Sequence, residues 1–147
     1  LDPEEIVPRN FDIDGQYGQI RLDVRPSEKL TFISSAGYSK SSSIQMTGQG
    51  TAQGKDWLYS YLQGRVLYKD WFGQIFYNKS DAGATKLLRT DESVVDKSSL
   101  TVMQLQHTSG IGDHHQFIYG VDLLLTRPRT EGTIHGDNEN NDESIEL

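Results

Sequence analysis

The residues of this chain that could bind a metal ion fall in two short stretches. In the first, Asp113 precedes His114 and His115, but adjacent side chains on a turn point apart and no second ligand cluster has a suitable spacing. In the second, DNENND (137–142) is similar to the start of a calcium loop, but Asp142 stands where that loop needs glycine. We therefore predict a solvated turn and an acidic solvent-facing loop, with an extracellular calcium contact as the alternative for the second stretch.

Patterns for catalysis and phosphate binding are also weak. The stretch GQGTAQGK (48–55) is one residue too long for a Walker A loop, and Asp56 follows its lysine where serine or threonine is required. Asp91 and Glu92 form a carboxylate pair on a polar stretch, where nothing indicates the cleft that acid–base catalysis needs. His107 and His135 are isolated, which favours surface or lumen positions. The sequence therefore predicts no enzyme and no cofactor.

Composition and charge bound the class of protein. The chain has 147 residues, of which 35% are hydrophobic and 24% charged, so it is long enough for one domain and too mixed for wholesale disorder. Its formal net charge is −7 and it has no basic stripe, which argues against a nucleic-acid partner. The absence of cysteine excludes disulfides and thiolate metal sites. That absence fits the cytosol and, equally, proteins that cross the periplasm unfolded.

The sequence shows no signal for targeting. No run of about 18 apolar residues predicts a transmembrane helix. The first residues, LDPEEIVPRN, are acidic and contain proline, which is not the pattern of a signal peptide. Because they also lack an initial methionine, we interpret the chain as a fragment or a processed protein.

Alternation of apolar and polar side chains predicts an all-β, antiparallel up-and-down meander. Successive side chains of a strand point to opposite faces, so Ile20, Leu22 and Val24 share one face and Arg21 and Asp23 share the other. The predicted strands cover residues 17–25, 30–39, 57–68, 71–79, 100–108 and 116–126.

The connections between these strands alternate in length. The stretches PSEK (26–29), KD (69–70) and SGIGDHH (109–115) are short. The long, polar connections and tails are 1–16, 40–56, 80–99 and 127–147. In a meander, alternate connections fall on opposite rims, so every short turn would lie on one rim. Outer-membrane β-barrels show this asymmetry, and their tilted strands need about 9–11 residues, which predicts part of a transmembrane barrel wall of about six strands.

A barrel wall would place the two faces of these strands in different surroundings. Its apolar face meets lipid and its polar face a wet lumen, which would solvate Asp122 between Val121 and Leu123. The alternation leaves the faces of 30–39 and 57–68 undecided. The predicted lipid-facing residues are Ile20, Leu22, Val24, Ile75, Tyr77, Met103, Leu105, Phe117, Tyr119, Val121 and Leu123. The predicted lumen-facing residues are Arg21, Asp23, Gln74, Asn78, Gln104, Gln106 and Asp122.

Aromatic residues lie near the ends of the predicted strands. Such placement is typical of the aromatic girdle at a membrane interface, although soluble β-sandwiches also have aromatic strand ends. The residues concerned are Tyr17, Tyr38, Trp57, Tyr59, Tyr68, Trp71, Phe72 and Tyr77.

Three stretches of the chain resemble TonB-dependent outer-membrane receptors. RPRTEGTIHGDNENND (127–142), after YGVDLLLTRP, is similar to a strand-to-loop passage of that family. Residues 37–83 look like two preceding hairpins of such a barrel, and residues 2–31 resemble the extracellular loop and hairpin before them. The likeness covers almost the whole chain, but only the 127–142 tract is fairly specific.

The resemblance implies a partner set and a function. Receptors of this family are barrels of about 22 strands, filled by an N-terminal plug, that import scarce large solutes such as siderophores, cobalamin or glycans. TonB contacts a short box near their N-terminus. The expected partners are therefore outer-membrane lipid, the plug and remaining strands, TonB, and a solute that the sequence does not identify. The long loops 40–56, 80–99 and 127–147 would contribute to solute recognition.

A soluble, secreted β-sandwich or small-barrel binding module is the alternative. It accounts for the alternation and for the acidic charge, but it does not explain why the long loops share one rim. A structural surface repeat is disfavoured, because the sequence has no internal period.

Overall fold

The chain folds into one antiparallel sheet with no helix in the part described. The computed structural model describes residues 9–112, 114–134 and 144–146. Seven strands pair in the order β1-β2-β3-β4-β6-β7-β8, and the short β5 pairs with the outer part of β3. The strands are β1 (Asp14–Ser27), β2 (Leu30–Thr47), β3 (Gly50–Tyr68), β4 (Trp71–Asp81), β5 (Lys86–Leu87), β6 (Ser99–Ile111), β7 (His115–Arg127) and β8 (Ser144–Glu146). The predicted all-β antiparallel meander is confirmed.

Three short connections lie together on one edge of the sheet, which we name the short-turn rim. Residues 28–29 and 69–70 form two-residue turns, and residues 112–114 join β6 to β7. Backbone hydrogen bonds tie neighbouring turns together, with Lys69 N donating to Lys29 O (3.0 Å) and Thr108 N to Asp70 O (2.9 Å). The β2–β3 turn, which also has only two residues (48–49), the β4–β6 connection and residues 128–134 after β7 lie on the opposite edge, the far rim.

The prediction of an irregular loop over 40–56 is wrong. In the structure β2 continues to Thr47, a two-residue turn follows, and β3 begins at Gly50. The pairing shifts register between Ser41 and Ser43, beside Asp56 at a φ of 60°, so a bulge joins the outer and inner parts of the hairpin. Backbone hydrogen bonds form this ladder whatever the side chains are. The polar stretch therefore pairs although it lacks the apolar alternation that identifies a strand.

The other predicted boundaries need smaller corrections. Within the predicted loop 80–99, β4 continues to Asp81, β5 forms at Lys86–Leu87 and β6 begins at Ser99. The predicted tail 127–147 contains β8, whose backbone pairs with β7. Strands of two or three residues cannot be recognised from alternation in the sequence, because they are too short to repeat a period of two residues.

Burial is concentrated at the far rim and not between two layers. Buried apolar side chains among the described residues are Ala52, Ala82 and Val94. The outer hairpin (42–55), the β4–β6 connection with the end of β4 (80–98) and residues 128–134 pack together there, and we name this unit the far-rim lobe. The predicted solvated long loops thus form an ordered unit, because their backbones pair with one another.

Candidate functional site

One face of the sheet, which we name the apolar face, carries every predicted lipid-facing residue. The strand register places Leu22, Ser34, Gly64, Ile75 and Met103 opposite one another in one row. Leu123 extends this row on β7, and the rows on either side contain the other seven candidates, so all eleven share this face. The register also decides the strands that alternation left open. Their residues on this face include Phe32, Ala36, Tyr38, Leu62, Val66 and Tyr68.

The apolar face is uncovered. Ten of the eleven candidates are at least 40% exposed, up to 71% for Ile20, and Leu123 is half-buried. The largest apolar patch on a typical soluble monomer covers a few hundred Å². Apolar side chains here are exposed on six neighbouring strands, which is the pattern of a surface that contacts lipid or another apolar partner.

The opposite face, which we name the polar face, carries every predicted lumen-facing residue. Asp23, Gln74, Gln104 and Asp122 lie in one row, and the other three candidates occupy neighbouring rows. Gln74 joins two strands, because its Oε1 accepts from Arg65 Nε and its Nε2 donates to Gln104 Oε1 at 2.9 Å. Whether this face lines a lumen stays a prediction.

Exposure along β4 distinguishes the two faces. Trp71, Ile75 and Tyr77 on the apolar face are exposed, whereas Gln74 and Asn78 on the polar face are half-buried. On this strand the polar face is therefore better sheltered than the apolar face. A strand over a soluble core shows the reverse order, and a barrel wall with its polar side inside shows the observed order.

An aromatic row borders the apolar face beside the short-turn rim. Trp71, His107 and Tyr119 lie opposite one another on β4, β6 and β7. The ring centroids of Trp71 and His107 are 4.3 Å apart, and those of His107 and Tyr119 are 5.3 Å apart. His107 Nδ1 lies 2.8 Å from the Tyr119 hydroxyl oxygen. No pattern in the sequence links these three residues, because only the register brings them together.

Half of the aromatic residues predicted to form a girdle lie on the apolar face, namely Tyr38, Tyr68, Trp71 and Tyr77. The prediction is wrong for the other four, which lie on the polar face. Nearness to a strand end does not determine the face of the sheet to which a side chain points. Those four are Tyr17, Trp57, Tyr59 and Phe72.

The apolar face has the height of a membrane-spanning band. On β4 it runs from Trp71, in the aromatic row, to Lys79, in a row with Ser60 and Ser99. That distance is about nine residues, against the roughly 9–11 that a tilted spanning strand needs. The band therefore ends in polar residues on one side and in the aromatic row on the other.

The far-rim lobe gathers parts of the three predicted recognition loops, with residues 128–134 from the third, into one surface. Gln49 Nε2 donates to Thr133 O (2.7 Å), which fastens the hairpin tip to the segment after β7. The Val95 and Lys97 amides also donate to this segment, each at 2.9 Å. A cleft of about 440 Å³ lies between the β4–β6 connection and this segment. Its lining residues are Leu87, Glu92, Ser93, Glu131, Gly132 and Thr133.

The structure assembles no metal site among residues 9–112 and 114–134, where no three histidine or acidic side chains converge. Asp113 and the DNENND stretch (137–142) lie outside the described residues. In the described part of the chain, no helix has the length and apolar character to cross a membrane.

Comparison with known proteins gives no relative from which a function could be transferred. No protein-family model, no curated protein and no solved structure matches this chain.

Proposed function

We propose that this chain forms part of the wall of an outer-membrane β-barrel of the TonB-dependent receptor type, which takes up a scarce large solute. The observation that carries the proposal is the uncovered apolar face, which continues across six strands, with a polar face behind it that is better sheltered on the inner strands β4 and β6. The height of the band and the aromatic row support the same environment. The receptor type, as distinct from other barrels, is supported only by the resemblance of the 127–142 tract.

The two rims receive opposite orientations in this proposal. Outer-membrane barrels have short turns on the periplasmic side and long loops on the extracellular side. The short-turn rim therefore faces the periplasm, and the far-rim lobe faces the outside with its cleft available to solute. Contact with TonB and the plug would involve parts of the receptor other than the described strands.

The outer edges of the sheet require further strands. Within the described residues, β1 pairs only with β2, and β8 pairs only with β7. An unpaired backbone edge in hydrocarbon leaves N–H and C=O groups without partners, which costs several kcal/mol per group (about the desolvation cost of an amide). We therefore infer that other strands of the receptor complete the wall.

Spin labels on two adjacent residues test the lipid assignment. Val121 is 54% exposed on the apolar face, and Asp122 follows it on the polar face at nearly the same depth. The chain has no cysteine, so Val121→Cys and Asp122→Cys each add one labelling site to it. In vesicles that contain the intact protein, we expect the label at 121 to collide with oxygen and the label at 122 with a water-soluble nickel chelate.

The soluble alternative gives a different result in the same experiment. Both residues are exposed in the structure, so a secreted binding module would leave both labels open to the nickel chelate. Chelate access at residue 121 equal to that at residue 122 would therefore overturn the proposal.

A further inference from the structure

A shallow groove crosses the apolar face next to the aromatic row. Its volume is about 440 Å³, within the range of small-molecule sites. Ser34, Gly64 and Gly73 form its floor on three neighbouring strands, where Phe32, Val66 and Ile75 rise beside them. Gly73 is two residues from Trp71 on the same strand and the same face, so the groove opens towards the aromatic row.

A cation lies at the end of the groove that faces the short-turn rim. Lys69 Nζ lies 5.3 Å from the ring centroid of Tyr68, and Tyr68 pairs with Trp71 on the apolar face. The neighbouring turn adds Lys29, whose carbonyl oxygen accepts from Lys69 N. Among residues 9–112 and 114–134, neither lysine makes an ion pair, although the acidic Glu28 and Asp70 adjoin them in the two turns.

We propose that the groove and the aromatic row together bind one anionic phospholipid in the leaflet nearest the short-turn rim. The inference rests on the proposed function, because it needs the apolar face to lie in a bilayer. An acyl chain lies along the floor formed by Ser34, Gly64 and Gly73. The headgroup phosphate pairs with the ammonium group of Lys69, and the ester region lies against the rings of Trp71 and His107.

Charge and shape favour this occupant over bulk lipid. A lysine near a membrane surface favours anionic lipid by roughly 1 kcal/mol, which corresponds to about a fivefold preference. Trp and Tyr rings are stable at headgroup depth because one edge is polar and the body is apolar. Within the described part of the chain, His107 Nε2 has no hydrogen-bond partner, so it can bond to an ester or headgroup oxygen.

Retention of a defined lipid tests the site. The intact protein is reconstituted in phosphatidylcholine nanodiscs with a minor share of phosphatidylglycerol, then exchanged into detergent, and its retained lipids are quantified by mass spectrometry. We expect phosphatidylglycerol to be enriched over its share in the disc. Lys69→Gln should lower this enrichment about fivefold, and Lys79→Gln, on the same face at the other end of the band, should leave it unchanged.

A second pair of variants tests the groove, with the same substitution made once in the groove and once on the polar face. A Cβ at Gly64 would lie 3.5 Å from Ile75 Cγ2, an ordinary contact, so Gly64→Val should fill the groove without disturbing the strands. Gly15→Val adds the same side chain on the polar face, where nothing lies within 4 Å of the new Cβ. We expect Gly64→Val to reduce retention of both phospholipids severalfold, and Gly15→Val to retain them as the unaltered protein does.

Two results would overturn the phospholipid site. One is retention of phosphatidylglycerol by the unaltered protein in proportion to its share in the disc, and the other is unchanged retention in both Lys69→Gln and Gly64→Val. The spin labels at residues 121 and 122 separate this failure from failure of the proposed function. Oxygen contact at residue 121 together with either result would leave the barrel wall standing and remove only the lipid site.

Discussion

Arginine in place of Met103 should lower the free energy of unfolding in a bilayer by about 2–4 kcal/mol, the cost measured for a cation at mid-depth on a lipid-facing strand. Met103 lies near the middle of the apolar band, in a row with Leu22 and Ile75. Lipid cannot hydrate a guanidinium group there, so the folded state alone would be destabilised. Equilibrium unfolding in urea of the intact protein, refolded into vesicles, measures the difference.

The next residue along the strand supplies the control. Gln104 points to the polar face and lies opposite Asp122, and its Oε1 accepts from Gln74 Nε2, so Gln104→Arg should lose that hydrogen bond and lower the same free energy by only about 0.5–1.5 kcal/mol. In a soluble protein Met103 would be an ordinary surface residue, since it is 43% exposed. A Met103→Arg variant as stable as Gln104→Arg would thus contradict contact with lipid.

The second large effect concerns the far-rim lobe. Gly83 has a φ of 61°, and a Cβ on it would overlap Lys55 O and lie 2.7 Å from Asp56 O. Gly83→Ala should therefore combine the left-handed penalty with overpacking, and reduce the free energy of local opening by about 2–5 kcal/mol. The rate of hydrogen exchange at the Ala84 amide measures this loss of stability, because Ala84 N donates to Lys55 O (2.9 Å) in the same contact.

A substitution at Gly112 separates the cost of the left-handed backbone from the cost of overpacking. Gly112 has the same φ of 61°, but nothing lies within 4 Å of an added Cβ. Gly112→Ala should cost only the left-handed penalty, about 1–2 kcal/mol, and it should leave exchange in the far-rim lobe unchanged. Exchange of Ala84 that is no faster in Gly83→Ala than in the unaltered protein would mean that the packed contact between residue 83 and the hairpin does not stabilise the lobe.

The order of the lobe bears on solute binding. A surface whose loops are already joined loses less conformational entropy on binding than one made from free loops. The Gln49 contact with the Thr133 carbonyl and the burial of Ala52 and Val94 fix the loops before any ligand arrives. If the lobe is the recognition surface of a receptor, it is preorganised.

Local alternation was sufficient to divide the residues of four predicted strands between two faces, whereas 30–39 and 57–68 needed the register. A period of two residues is a property of every extended strand, so Leu22 and Arg21, or Val121 and Asp122, had to point to opposite sides. The same reasoning failed for 40–56, where Ser, Gln and Thr alternate with few apolar residues although the backbone pairs in full. Whether a stretch forms a strand also depends on the backbone with which it pairs. The sequence of that stretch alone does not show which segment this is.

The sequence by itself determined an antiparallel meander with three short turns on one rim and an apolar and a polar side to four of its six predicted strands, because these features follow from chain periodicity and turn length. Only the tertiary structure decided the register that places Trp71 beside His107 and Tyr119, the groove over Ser34, Gly64 and Gly73, and the far-rim lobe. These features join residues on different strands. Their positions depend on backbone pairing between distant segments, which no local pattern of side chains encodes.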